Sequence, residues 1–179
     1  KSGVAIIRIS GKNAAPALAL LTGAPCPAPN FAKYSVFKNP ATGEIIDKGL
    51  AIYFKAPHSF TGDDVVELHL HGSPAVIREI LAVLSGVAGM YAAEPGEFTR
   101  TAFLNGKLDL MEAEGLADLI NAETIMQKSQ ALRQMNGELS GFYNEIRAKT
   151  INCLALLEAY IDFPDEEIPE SVLAQWHET

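Results

Sequence analysis

Cysteine is scarce in this chain, with only Cys26 and Cys153 among 179 residues. Two thiols make no disulfide framework and cannot furnish a zinc site unaided. They also sit in unlike contexts, a proline-rich stretch and a leucine-rich one, so a reducing, cytoplasmic setting is the default expectation. Long apolar runs are missing as well, and none approaches the roughly 20 residues that span a bilayer. The opening KSGVAIIRIS has no signal-peptide pattern, because its apolar stretch is short and Arg8 interrupts it. It has no initiator Met, and the chain is expected to have lost its true start. Basic charge is in short supply: 14 Lys and Arg stand against 22 Asp and Glu, a net charge of −8. Phosphate neutralisation by Lys and Arg dominates nucleic-acid affinity, so this segment alone is a poor candidate for RNA binding. Three catalytic signatures are absent: the Gly-x-Ser-x-Gly elbow, the Gly-x-Gly-x-x-Gly dinucleotide loop and the Gly-x-x-x-x-Gly-Lys-Ser/Thr phosphate loop. Without the last, the chain is not expected to bind GTP in the P-loop manner.

What is present is enough for a packed core. Hydrophobic residues make up 48 % and charged residues 20 %, ordinary values for a globular protein. Apolar patterning predicts a strand over residues 3–10, a short helix over 14–21 and a proline-rich loop over 22–30. Strands follow over 34–38 and 45–54, separated by the turn Asn39-Pro40-Ala41-Thr42-Gly43, and again over 65–71. Ser73-Pro74 has the form of an N-cap followed by proline at the first helical position, opening a helix to about Leu84. A turn-like and briefly extended stretch over 86–93 precedes a short helix from Pro95 to about Leu104, which Asn105-Gly106 breaks. Asp109 with Glu112 has capping-box spacing and starts a helix to about Asn121. An almost uninterrupted helical pattern then runs from Thr124 to Tyr160, until Asp162-Phe163-Pro164 ends it before an acidic tail. The expectation is an α+β chain: a mixed domain over 1–105, then the long helices of 106–179.

Several residues are placed where they need a partner. In the strand over 65–71, Val66, Leu68 and Leu70 face one way, while Val65, Glu67, His69 and His71 face the other. Glu67 is a poor strand former, and burying its carboxylate unpaired would cost several kcal/mol. An ion pair, an exposed sheet face or recognition of a flat N–H-bearing heterocycle would each satisfy it. Arg8, between Ile7 and Ile9, must find an anion or carbonyl, or lie on an open face. His69 and His71 could hold two sides of a metal, but no further ligands can be placed, so no metal site is expected. Pro57-His58-Ser59-Phe60-Thr61-Gly62-Asp63-Asp64 joins two strands and is dense in small polar groups, either a solvated connection or a ligand loop. Lys107, just past the Gly106 break, can meet an anion or simply stand on the surface.

Together GVAIIRISG, PHSFTGDDVVELHLHG and PGEFTRTAFLNGKLDLMEAEGLADLI resemble the N-terminal half of the MnmE (TrmE) family of tRNA-modifying GTPases, and IDFPDEEI is similar to the family's acidic element. The resemblance runs in order across essentially the whole chain. It implies an N-terminal tetrahydrofolate-binding domain that forms a homodimer, and the first part of a discontinuous helical domain. The GTPase domain of the family, with its GTP, magnesium and potassium, has no counterpart in this sequence. By the same resemblance the intact protein works with the flavoprotein MnmG on carbon 5 of the wobble uridine at position 34 of certain tRNAs, in a carboxymethylaminomethyl-type modification. A folate of the 5-formyltetrahydrofolate type supplies the one-carbon unit. The family's folate contacts map onto Arg8 in the RIS motif, Glu67 in DVVEL and Lys107 in NGKLDL. Glu67 is expected to read the pterin's amino and ring N–H groups, and Arg8 and Lys107 to meet carbonyl or carboxylate oxygens. The family's functional cysteine has no counterpart here, so Cys26 and Cys153 inherit no role. On this resemblance the segment alone is not catalytic and needs no membrane. Two other readings stand beside it: a self-sufficient, aminomethyltransferase-like folate enzyme, and a dimerisation scaffold with a vestigial pocket. A phosphate loop soon after Thr179 in the gene would exclude the first of these.

Overall fold

The computed structural model describes residues 2–162. It divides into two compact units, Lys1–Leu108 and Asp109–Thr179. The first holds β1 (Ser2–Ser10), α1 (Ala14–Thr22), β2 (Lys33–Lys38), β3 (Ile45–Phe54), β4 (Val65–Gly72), α2 (Pro74–Ser85) and α3 (Glu97–Leu104). The second holds α4 (Leu110–Asn121), α5 (Ile125–Met135) and α6 (Glu138–Asp162). The architecture is α+β, as the sequence pattern indicates.

In the first unit the four strands form one antiparallel sheet in the order β1-β4-β3-β2. Alternation along β4 decides its two faces. Val66, Leu68 and Leu70 are buried in a core with Ala14, Leu18 and Leu21 of α1, Phe37 of β2 and Ile80 of α2. Each of the larger side chains among these contributes roughly 1.5–3 kcal/mol on burial. Strands β3 and β4 lie so close that a Cβ at Gly49 would come within 2.0 Å of the His69 carbonyl oxygen, which only glycine avoids. Helix α1 stops at Gly23, whose left-handed backbone (φ 66°) lets its N–H reach the Ala19 carbonyl. Ser73 does precede α2 with Pro74 inside it, but the serine hydroxyl makes no capping bond. The stretch over 86–93 turns as expected, and no strand forms there.

The second unit is built on caps and close backbone approach. Asp109 accepts from the Glu112 N–H and Glu112 accepts from the Asp109 N–H, both at 2.8 Å, closing the box that the spacing predicts. Thr124 and Gln127 close a second box at the start of α5. Gly115 of α4 sits against α5, where an added Cβ would lie 3.0 Å from the Met135 nitrogen and 3.1 Å from the Ala131 carbonyl oxygen. The almost uninterrupted helical pattern expected from Thr124 to Tyr160, with glycines only at Gly137 and Gly141, forms two helices. Gly137 takes a left-handed backbone (φ 78°), ending α5, and α6 starts afresh at Glu138. Arg133 and Glu138 bridge this break at 2.8 Å. The expected helix stop and most of the acidic element lie outside the described residues. Among those described, no helix is long and apolar enough to cross a membrane.

Candidate functional site

The sheet face turned away from the core carries the charged side chains. Antiparallel register sets Arg8 of β1 directly opposite Glu67 of β4, and Ile52 of β3 opposite Glu67 on its other side. Directly paired residues share a face and lie within side-chain reach. Arg8 Nε donates to Glu67 Oε1 at 3.1 Å, and Nη2 approaches the same oxygen at 2.9 Å. His69, two residues along the same face, lies with Nε2 3.2 Å from Glu67 Oε2. An ionised carboxylate only accepts, so His69 then carries its proton on Nε2. The mid-strand carboxylate therefore has two partners, one on each oxygen. Glu67 is largely buried, with 16 % of its side chain exposed, and Arg8 stays half open at 42 %.

Two aromatic rings complete the surroundings of Arg8. Phe60, in the loop before β4, and Phe98, on α3, each have their ring centroid 5.7 Å from the guanidinium carbon. That distance is within the range of cation–π attraction. Neither ring is evident as a partner from sequence periodicity. The available signal was position: both fall within densely patterned polar stretches.

Lys107 is held at the same loop. Its Nζ donates to the Pro57 carbonyl at 3.1 Å, and Asn105 Nδ2 donates to the Thr61 carbonyl at 2.7 Å. Gly62 makes this approach possible, since a Cβ there would stand 3.2 Å from both Asn105 Cβ and Lys107 Cγ. Its φ of 84° independently favours glycine. Thr61 is fully buried and shares a 2.7 Å hydrogen bond with Ser10, which ties the loop to β1 two residues beyond Arg8. Thus Arg8 and Glu67 touch, while Lys107 is anchored to the loop that places Phe60 over Arg8. The struts Ser10, Thr61 and Asn105 were invisible in the sequence pattern, because each depends on contacts more than 40 positions apart.

His71 leaves this group. Its backbone N–H and Nδ1 both engage the Asp47 carboxylate at 2.8 Å. Burial pushes the Asp47 carboxyl up, but the hydrogen bonds from the His71 backbone and ring and from the Lys48 backbone outweigh it, leaving the group below the usual aspartate range. Among the described residues, no group of three His, Cys, Asp or Glu side chains is placed to hold a metal ion. Both cysteines are free thiols, and burial followed by the Asp64 charge pushes the Cys26 thiol upward, away from reactivity.

A concavity of about 400 Å³ lies along the edge strand β2 and is lined by Lys33 and Lys38 of that strand and Lys48 of the neighbouring β3. Lysines on an edge strand are a common protection against pairing with another sheet. No group there converges as the Arg8–Glu67–His69 cluster does, so the cluster is the better candidate.

The comparisons with known proteins agree on one family. A family model described as the GTP-binding protein TrmE N-terminus matches residues 1–107, and the MnmE helical domain matches residues 110–179. A tRNA modification GTPase MnmE from Parvibaculum lavamentivorans is 54 % identical over 175 residues, covering 98 % of this chain and 40 % of that protein. Proteins of the same name from Rickettsia bellii and Rickettsia prowazekii are each 53 % identical over 173 residues, covering 97 % of this chain and 39 % of theirs. The chain thus spans about two fifths of the length of these curated relatives.

Proposed function

The chain belongs to the MnmE (TrmE) family, and from that premise we propose that it is the folate-binding and dimerising part of a tRNA-modifying GTPase. The observation that carries the folate reading is the Arg8–Glu67 pair. It places a shielded carboxylate and a flat cation side by side on an open strand face, ringed by Phe60 and Phe98. A carboxylate offers about four lone-pair directions, which suits the amino and ring N–H donors of a pterin. Arg8 and Lys107 supply positive charge for the carbonyl and carboxylate oxygens of a 5-formyltetrahydrofolate-type donor.

Homodimerisation is supported by the same face of the sheet. Ile6, His69, Leu50 and Tyr34 lie in one cross-strand row, and Ile6, Leu50 and Tyr34 are 54 %, 41 % and 66 % exposed. Exposed apolar rows of this kind mark protein–protein contact. In the proposed whole protein a GTPase domain hydrolyses GTP with magnesium and potassium. It acts in the cytoplasm with MnmG to modify carbon 5 of the wobble uridine of tRNA. The acidic balance of this segment leaves RNA contact to those other parts.

Calorimetric titration of the full-length protein with 5-formyltetrahydrofolate tests this. Binding is expected, and Glu67→Ala should weaken it at least about tenfold, the value of a hydrogen bond to a charged group. A full-length protein that binds no folate would sink the reading.

A further inference from the structure

We infer that Arg8 is a built-in competitor at the site: its guanidinium holds the place that the donor edge of a pterin takes, and it must leave Glu67 before the pterin can bind. The inference rests on the folate reading and concerns the order of contacts within that site. It starts from how fully the Glu67 carboxylate is already engaged. Arg8 Nε donates to Oε1 with Nη2 2.9 Å from the same oxygen, and His69 Nε2 takes Oε2. Both carboxylate oxygens are thus engaged by the protein itself, Oε1 by Arg8 and Oε2 by His69. A ligand edge with two parallel N–H donors needs both oxygens, and neither is free while Arg8 stays.

The chemistry of the two contenders is alike. The 2-amino and ring N–H groups of a pterin, with the carbon between them, are a guanidine closed into a ring. Both groups are flat, and both present adjacent N–H donors in one plane. The surroundings do not distinguish them either, since the faces of Phe60 and Phe98 that attract the guanidinium at 5.7 Å would equally accept a flat heterocycle. Arg8 is the partner that can move. Its side chain is long and 42 % exposed, whereas Glu67 is fixed in the central strand at 16 %. The Arg8 half of the pair is open to solvent, which screens the attraction, and an incoming donor edge replaces the bonds that Arg8 gives up. Displacement is therefore cheap, and the freed guanidinium becomes available to the anionic tail of the folate.

The two roles of Arg8 separate when the tail is removed. For 5-formyltetrahydrofolate, Arg8 both competes and rewards, so Arg8→Ala should loosen binding. For a tetrahydropterin lacking the aminobenzoylglutamate tail, Arg8 only competes, so Arg8→Ala should tighten binding roughly two- to fivefold. Arg8→Met keeps the stem of the side chain beside the rings and should show the same opposite shifts. Calorimetry on the full-length protein, direct or by competition, reads the six affinities of wild type, Arg8→Ala and Arg8→Met for the two ligands. A tail-less pterin bound no tighter by either variant than by the wild type overturns the competitor role while leaving the folate reading intact. Failure of the wild type to bind 5-formyltetrahydrofolate at all would instead remove the reading on which it rests.

Discussion

In the N-terminal unit Phe37, Val66, Leu68 and Ile80 are wholly buried, while in the C-terminal unit the one fully enclosed hydrophobic side chain among the described residues is the small Ala131. Ile120, Ile125 and Met126 of that unit are 75 %, 81 % and 83 % exposed. The first unit rests on area removed from water beneath a sheet. The second rests on two capping boxes and on a glycine that lets α4 and α5 come close. A binding site needs side chains held to within a fraction of an ångström, and among the described residues the packed layer that can hold them is in the first unit. The charged cluster sits on the back of that layer.

The largest expected effect tests the core. Leu68→Ala removes a side chain at the centre of the sheet and should destabilise the N-terminal unit by about 2–5 kcal/mol. The two units need not unfold together, so region-resolved hydrogen exchange is the appropriate measurement. Protection should fall across β1, β3 and β4, and unchanged protection there would show that the sheet does not depend on this core.

A smaller effect tests the caps. Thr124→Ala opens the second capping box and should cost about 1 kcal/mol, felt in the protection of α5 rather than in the sheet. If its cost matched that of Leu68→Ala, the contrast between the two units would collapse.

The smallest effect is electrostatic. Because the Asp47 carboxyl titrates below its ordinary value near 3.9, its contribution is fully present above about pH 4 and is lost as the pH falls through the lowered value. His71 is 71 % exposed, so solvent screens the pair and the loss should stay under about 1 kcal/mol. Acid titration of the wild type against Asp47→Asn reads it, and curves that run parallel below pH 4 would remove Asp47 as the source.

Much of this arrangement was legible in the sequence, for identifiable reasons. Most strand and helix limits up to Leu104 follow from glycine and proline punctuation, and the alternation in β4 tells its two faces apart. The Asp109–Glu112 box followed from spacing alone. Of the two glycines in the helical pattern after Thr124, Gly137 breaks the helix and Gly141 does not, and residue type alone does not tell which takes a left-handed backbone. The Ser73 hydroxyl was expected to cap because residue type indicates capacity, not orientation. Arg8 and Glu67 could each be recognised as needing a partner. That they partner each other depends on the strand order β1-β4-β3-β2, which local patterning does not encode. Phe60, Phe98 and the Asn105 strut escaped for the same reason: their roles exist only across the fold.

Strand order also sets a schedule. The two halves of the ion pair stand 59 positions apart, and β1 has no neighbour in the sheet except β4. At ribosomal speeds of 5–20 residues per second, Arg8 is made roughly 3 to 12 s before Glu67. Throughout that interval β1, with Val4, Ile6, Ile7 and Ile9, is an unpaired apolar ribbon of the kind that aggregates or recruits chaperones. The strand that brings Glu67 to Arg8 is therefore also the one that gives β1 its hydrogen-bonded neighbour.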